Sequence, residues 1–86
     1  MRIVLHRDFV KRIKKLSPKI RRAFRARRDL FLKDSFNPIL DNHALHGEYA
    51  GYRSINVTGD WRIIYEPIAD DLVYFMLIGT HAELFG

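Results

Sequence analysis

Apolar and polar positions alternate over the first residues of the chain, with Ile3 and Leu5 on one side, which predicts a short strand over Arg2–His6. The period then changes. Phe9, Ile13 and Leu16 recur at helical spacing, and Asp8 lies near the start of that segment, where a carboxylate complements the helix dipole. Ser17-Pro18 interrupts the pattern: Pro18 suits the first turn of a second helix and Ser17 its N-cap. Ile20, Phe24 and Phe31, with Ala23 and Leu30, form the apolar stripe of that helix. So short a connection predicts an antiparallel helix pair.

No period survives from Ser35 to His46. Asn37-Pro38 and Asp41-Asn42 are turn chemistry, so this stretch reads as a long loop, a feature often functional in a small domain. Strand patterns follow over Tyr52–Val57, Trp61–Glu66 and Leu72–Ile78, joined by turns at Thr58-Gly59-Asp60 and Pro67–Asp71. The last strand is apolar throughout, which predicts a central position covered on both faces. Gly79 ends it, and His81–Gly86 reads as a short tail. The order βααβββ predicts an α+β fold with an antiparallel-rich sheet and the helix hairpin on one face, a single domain over residues 1–86.

Composition narrows the class. A chain of 86 residues with 48% hydrophobic side chains can build one core and is not disordered. The absence of cysteine excludes a disulfide scaffold, a thiolate zinc site and a cysteine nucleophile. No apolar run approaches the roughly 18 residues of a membrane span, and Met1–His6 is too short and too soon charged for a signal peptide. The expectation is a soluble cytoplasmic protein without membrane contact. Its net charge of +5 conceals a division. Residues 1–33 hold 13 Lys/Arg against 2 Asp/Glu, whereas residues 34–86 hold 2 against 8. Crowded basic side chains repel one another, so a polyanionic partner for the first third of the chain is expected.

Two constellations carry candidate chemistry. His43-x-x-His46 and His81 have the donor types for zinc, but the pair is not helical and no cysteine supports it, so no metal and no cofactor is expected. His6 ends the first strand and reads as structural. Asp60-Trp61-Arg62 is the second. Alternation sends Asp60, Arg62 and Ile64 toward one face and Trp61, Ile63 and Tyr65 toward the other. Singly these residues read as a turn aspartate, a core tryptophan and a surface arginine. Beside the histidines they compose an acid–base and phosphate-clamp set.

Three stretches bear a family resemblance: Leu45-His46-Gly47-Glu48-Tyr49-Ala50-Gly51-Tyr52-Arg53-Ser54-Ile55, Gly59-Asp60-Trp61-Arg62-Ile63-Ile64-Tyr65 and Gly79-Thr80-His81-Ala82-Glu83-Leu84-Phe85-Gly86. They resemble the toxins of the RelE/ParE superfamily, in its YafQ-like branch, and the basic helix pair matches in type. The resemblance implies a RelE-like fold and a small cytoplasmic ribonuclease of a type II toxin–antitoxin system, one that cuts mRNA in the ribosomal A site and is silenced by a cognate antitoxin. The family's loop histidine falls on His43, although Asn42 is an extra residue between Asp41 and that histidine. Its Asp-Trp pair falls on Asp60 and Trp61, its C-terminal histidine on His81 and its terminal Phe on Phe85. A second histidine of the pattern falls on Asn56 and an arginine on Leu77. Arg62 matches an arginine of the RelE-like branch.

The chemistry such a set supports is metal-independent. The 2′-hydroxyl of RNA can attack its own 3′-phosphate if one group removes its proton, a cation stabilises the charge on phosphorus and an acid protonates the departing 5′-oxygen. Histidine, with an ordinary pKa of about 6.5, serves either end. His81 is assigned as the acid, and Asp60 and His43 as the base side. Arg62 is the phosphate clamp, with Arg53 as a second candidate. Phe85 and Trp61 are candidates for stacking on a splayed base, or else for core packing. Lys11, Lys14, Lys15, Arg21, Arg22, Arg25 and Arg28 lie off the apolar stripe and are expected to meet ribosomal RNA phosphates. Two further classes stay open: a ParE-like gyrase-directed poison, and a weakened family member that only binds its antitoxin.

Overall fold

Helices form where the apolar spacing requires them. In the computed structural model, which describes residues 1–86, α1 spans Arg7–Lys15 and α2 spans Pro18–Lys33. The imidazole of His6 accepts from the Asp8 amide (3.1 Å) at the start of α1, so His6 is its N-cap. Ser17 accepts from the Ile20 amide (3.3 Å) and Pro18 occupies the first turn of α2, where a missing N–H costs nothing. The two stripes meet a five-stranded sheet ordered β1-β5-β4-β3-β2. Its strands are β1 (Arg2–Leu5), β2 (His43–Ala44), β3 (Arg53–Thr58), β4 (Trp61–Ala69) and β5 (Leu72–Thr80). Only β1 and β5 run parallel.

The core lies between the helices and one face of this sheet. Phe9 and Phe24 meet as tilted rings at 5.3 Å between ring centres, Phe75 lies 5.8 Å from Phe9, and Phe31 joins Phe75 to Tyr65 at 5.5 and 5.1 Å. Ile55 and Val57 of β3 and Ile63 and Tyr65 of β4 complete it. Each fully buried apolar side chain contributes roughly 2 kcal/mol, so with no disulfide this cluster holds the fold.

Four details differ from the sequence reading. The stretch from Ser35 to His46 is not structureless: a one-turn 3-10 helix over Pro38–Leu40, capped by the Asn37 side chain, drives Leu40 fully into the core, and β2 follows. The turn predicted over Pro67–Asp71 is shorter, because β4 continues to Ala69. Pro67 fits there, since β3 pairs with β4 only as far as Tyr65 and leaves one side of the strand without a ladder. The apolar run of β5 is not buried on both faces. The register jumps between Tyr65↔Phe75 and Ile64↔Leu77, so Met76 is an extra residue in the ladder. Val73, Phe75 and Ile78 thereby face the core, and Leu77 lies opposite Ile64 on the second face, where Tyr74, Met76 and Leu77 are only half-buried. Finally, the tail is a helix, α3 (His81–Phe85).

Candidate active site

The second face of the sheet carries a groove of about 450 Å³ lined by Asp41, His43, Leu45, Ser54, Arg62, His81 and Phe85. Strand periodicity explains the assembly. Ile63 and Tyr65 point to the core, so Arg62 and Ile64 point away from it. On β3, Ile55 and Val57 claim the core and leave Ser54 and Asn56 on the groove side. His43 is paired with Ser54, and Asn56 with Arg62.

One wall is β2 and the turn before it. Asp41 takes the left-handed conformation (φ 46°), rare for a residue with a side chain. Its carbonyl oxygen then lies 2.7 Å from His43 Nδ1 and its carboxylate 3.8 Å from the same nitrogen. A carbonyl only accepts, so the contact assigns the proton to Nδ1 and leaves the lone pair of the neutral ring on Nε2.

The opposite wall is α3, and its sequence motif is a set of mechanical parts. A Cβ on Gly79 would stand 3.3 Å from both Glu83 Oε1 and the Leu84 side chain, so glycine lets α3 fold closely onto β5. The Thr80 hydroxyl accepts from the Glu83 amide (3.2 Å) and Glu83 accepts from the Thr80 amide (2.8 Å), a reciprocal cap. Glu83 also accepts two bonds from Arg12 of α1 at 3.0 and 2.8 Å. The Thr80 amide first, and then the Arg12 guanidinium, hold the Glu83 carboxyl below its ordinary value of 4.5. His81 is the first residue of α3. Its amide donates to the Asp60 carbonyl (2.8 Å), and its exposed ring rests 5.0 Å from that of Phe85. Phe85 in turn meets Tyr49 at 5.9 Å, and the Tyr49 hydroxyl donates to the Leu84 carbonyl (3.3 Å).

Between the walls, Arg62 Nη1 donates to the carbonyls of Gly59 (2.8 Å) and Trp61 (3.0 Å). Its Nε and Nη2 hydrogens have no partner within the chain and are free for an anion.

The structure thus brings His43, Arg62, His81 and Phe85 to one groove, and leaves other candidates outside it. Asp60 stays in the hairpin turn, where its backbone carbonyl docks α3 while its exposed carboxylate makes no internal bond. Trp61 packs against the core, with the Arg12 guanidinium 5.8 Å from its ring. Arg53 shares its parity with Ile55, so it faces the helix side, where its Nε donates to Asn42 Oδ1 (2.8 Å) and its guanidinium lies 5.4 Å from the Phe36 ring. His46 opens the turn at Gly47–Tyr49 and is not part of the groove wall. No three His, Asp or Glu side chains are arranged to hold a metal ion. On the helices, Lys11, Lys14, Lys15, Arg22 and Arg25 are exposed without an internal partner, whereas Arg21 donates to the Leu16 carbonyl (2.8 Å) and Arg28 pairs with Asp29 (3.0 Å). Asp41 and Ser54 are groove residues that sequence reasoning did not single out. The turn chemistry of Asp41-Asn42, and the aspartate that the resemblance sets before its loop histidine, are the signals for the first.

A sequence profile described as "Bacterial toxin of type II toxin-antitoxin system, YafQ" matches residues 1–86. The chain belongs to the YafQ toxin family. Within this family, the mRNA interferase toxin YafQ of Escherichia coli is 44% identical over 48 residues, 56% of this chain and 51% of that protein, so the match spans about half the length of that relative. The solved structures extend the likeness to the whole fold. The crystal structure of YafQ from E. coli superposes with a TM-score of 0.81 at 27% identity, covering 99% of this chain and 98% of that one. YafQ in the E. coli DinJ–YafQ toxin–antitoxin complex gives 0.78 at 28% identity, covering 99% and 97%. These YafQ-family relatives confirm the expected α+β, RelE-like architecture.

Proposed function

We propose that this YafQ-family protein is a ribosome-dependent mRNA endonuclease, held silent by a cognate antitoxin. The observation that carries the reading is the convergence of His43, Arg62 and His81 on one groove, with His43 Nδ1 occupied by the Asp41 carbonyl so that Nε2 is the free base. His43 Nε2 takes the proton of the ribose 2′-hydroxyl. The 2′-oxygen attacks the adjacent phosphorus, and the bond from phosphorus to the 5′-oxygen breaks. His81 gives its proton to that 5′-oxygen, leaving a 2′,3′-cyclic phosphate and a 5′-hydroxyl end. The Nε and Nη2 hydrogens of Arg62 face the charge that grows on the equatorial oxygens. Phe85 offers its ring to a splayed base. Of the two base candidates, His43 is favoured over Asp60 because only the former lines the groove. The phosphorus chemistry uses no metal. The antitoxin and mRNA assignments draw on the named activity and complex of the E. coli relatives.

The basic helices and the groove lie on opposite sides of the sheet. That arrangement suits a protein lodged in a ribosomal cavity, with mRNA on one side and ribosomal RNA on the other. Incubation with mRNA-programmed ribosomes should yield cut message bearing a 2′,3′-cyclic phosphate, while gyrase with supercoiled DNA is unaffected. Uncut message, or trapped gyrase, overturns the reading. Cleavage should also persist when chelator removes transition metals at fixed magnesium. Reversing Lys14, Arg22 and Arg25 to Glu should raise the half-saturating toxin concentration and lower the salt slope by about 2 to 3, at roughly 0.7 to 0.9 per lost phosphate contact. The saturating rate should hardly move. Unchanged ribosome binding with weakened antitoxin binding would make this face an antitoxin dock instead.

A further inference from the structure

His43 stands on a strand of two residues, and two residues make a weak ladder. A one-residue slip of β2 against β3 would turn His43 from the groove to the helix side. Backbone pairing alone is a thin guarantee against that slip, but the neighbouring side chain supplies a second one. Asn42 Nδ2 donates to the Ser35 carbonyl (2.8 Å), and Asn42 Oδ1 accepts from Arg53 Nε (2.8 Å). The Tyr65 hydroxyl lies 2.8 Å from Nδ2 and 3.1 Å from Oδ1. Tyr65 is 4% exposed, wedged between Phe31 and Phe75, and therefore a fixed point. One amide thus ties the residue before His43 to β4, to β3 and to the segment leaving α2. By alternation it faces away from the side on which His43 projects.

From this hub we infer that Asn42 is a positioning residue: it sets the register of β2 and aims the His43 imidazole into the groove. The inference rests on the proposed role of His43 as base. The chemistry of the site demands an amide, because the hub needs a donor toward Ser35 and an acceptor toward Arg53 from one short planar group. It also gives Arg53 a task away from phosphate, as a brace for Asn42 that leans on Phe36.

The test compares Asn42→Ala, Tyr65→Phe and His43→Gln in single-turnover cleavage on programmed ribosomes, with the ¹⁵N signals of the His43 ring as a second readout. Misplacing a reacting group by about 1 Å costs on the order of 10²-fold. Asn42→Ala should therefore lower the saturating rate roughly 10²-fold while its half-saturating concentration stays within about twofold. The His43 ring should lose its single Nδ1-protonated form. Tyr65→Phe removes one hydroxyl from the hub and leaves the core in place, so it should give a smaller loss of the same kind; it carries the test where Asn42→Ala fails to fold. A parental saturating rate in both hub variants, beside an inactive His43→Gln, overturns the positioning role alone. So does a variant that is merely less stable yet keeps the parental rate, pH profile and His43 tautomer. Parental cleavage by His43→Gln overturns the reading of His43 as base itself.

Discussion

The two walls of the groove are built from different materials. The His43 wall is a fragment of sheet whose neighbouring side chain, Asn42, is bonded to the Ser35 carbonyl, the buried Tyr65 hydroxyl and the Arg53 guanidinium. The His81 wall is a five-residue helix, far too short to persist alone, held by its Thr80 cap and by the His81–Phe85 contact within it, and from outside by the Arg12 ion pair and the Tyr49 ring. One wall is anchored on the buried Tyr65 through bonds that involve no carboxylate, and should ignore acidification. The other depends on a half-exposed Arg12–Glu83 pair and should respond to acid and to salt. Under the proposed function, an acid–base pair is thus held in register while its two members sit on scaffolds of unequal stiffness.

The largest effects should come from removing the two imidazoles. His81→Ala and His43→Ala should each lower the cleavage rate on programmed ribosomes by about 10²–10⁴-fold, the usual span for loss of one proton-transfer group. Circular dichroism and melting should stay close to the parent, since both side chains are exposed. A variant cutting at the parent rate would remove that wall from the chemistry. Next in size is Gly79→Ala. Its new methyl meets the Glu83 and Leu84 side chains at 3.3 Å, so they must give by a few tenths of an ångström. Because Glu83 is tied to Thr80 and Arg12, α3 is displaced with it, and the saturating rate should fall by roughly tenfold as His81 loses its aim. If the rate is unchanged while the fold is intact, close seating of α3 is not what positions His81. The smallest effect separates the walls by pH. Docking lowers the Glu83 pKa, so the charge contributes fully to seating α3 above the ordinary value of 4.5, and that contribution is lost as pH falls from there through the lowered value. Hydrogen exchange at the α3 amides should quicken as pH is lowered from about 5 toward about 3, after correction for intrinsic rates, while protection at Ser54 and Ile55 holds. Glu83→Gln should abolish that difference. Equal behaviour of both regions would mean that the two walls are equally sensitive to acid.

The sequence was most informative where elements are long. The spacing of Phe9, Ile13 and Leu16, the Ser17-Pro18 break and the alternation through β4 lead directly to the helix pair and to the groove face of Arg62. The same alternation puts Trp61 on the core side with Ile63 and Tyr65, and the parity of Arg53 with Ile55 argues against its role as a clamp. What stayed hidden lies below the length at which a period can be read. A two-residue strand and a one-turn 3-10 helix leave no pattern, so the loop that presents His43 looked structureless. The extra residue in β5 is invisible within an unbroken apolar run, because every position there is apolar whichever way it points. Asn42 looked like an insertion beside the loop histidine; only folding brings Ser35, Arg53 and Tyr65 to it.

The parallel pairing of the first and last strands has a consequence for the order in which the molecule comes into being. Leu5 meets Phe75 across the ladder, so β1 waits through most of translation for its neighbour. α3 also rests on β5, and its first amide is fixed by the Asp60 carbonyl beside that strand. Ribosome-bound chains stalled before residue 72 should accordingly leave the β1 amides open to exchange, which pulse labelling can detect. The N-terminal helices can emerge and collapse early, but the groove between His43 and His81 is completed only as β5 inserts, so under the proposed function a nascent copy gains its cutting site only then.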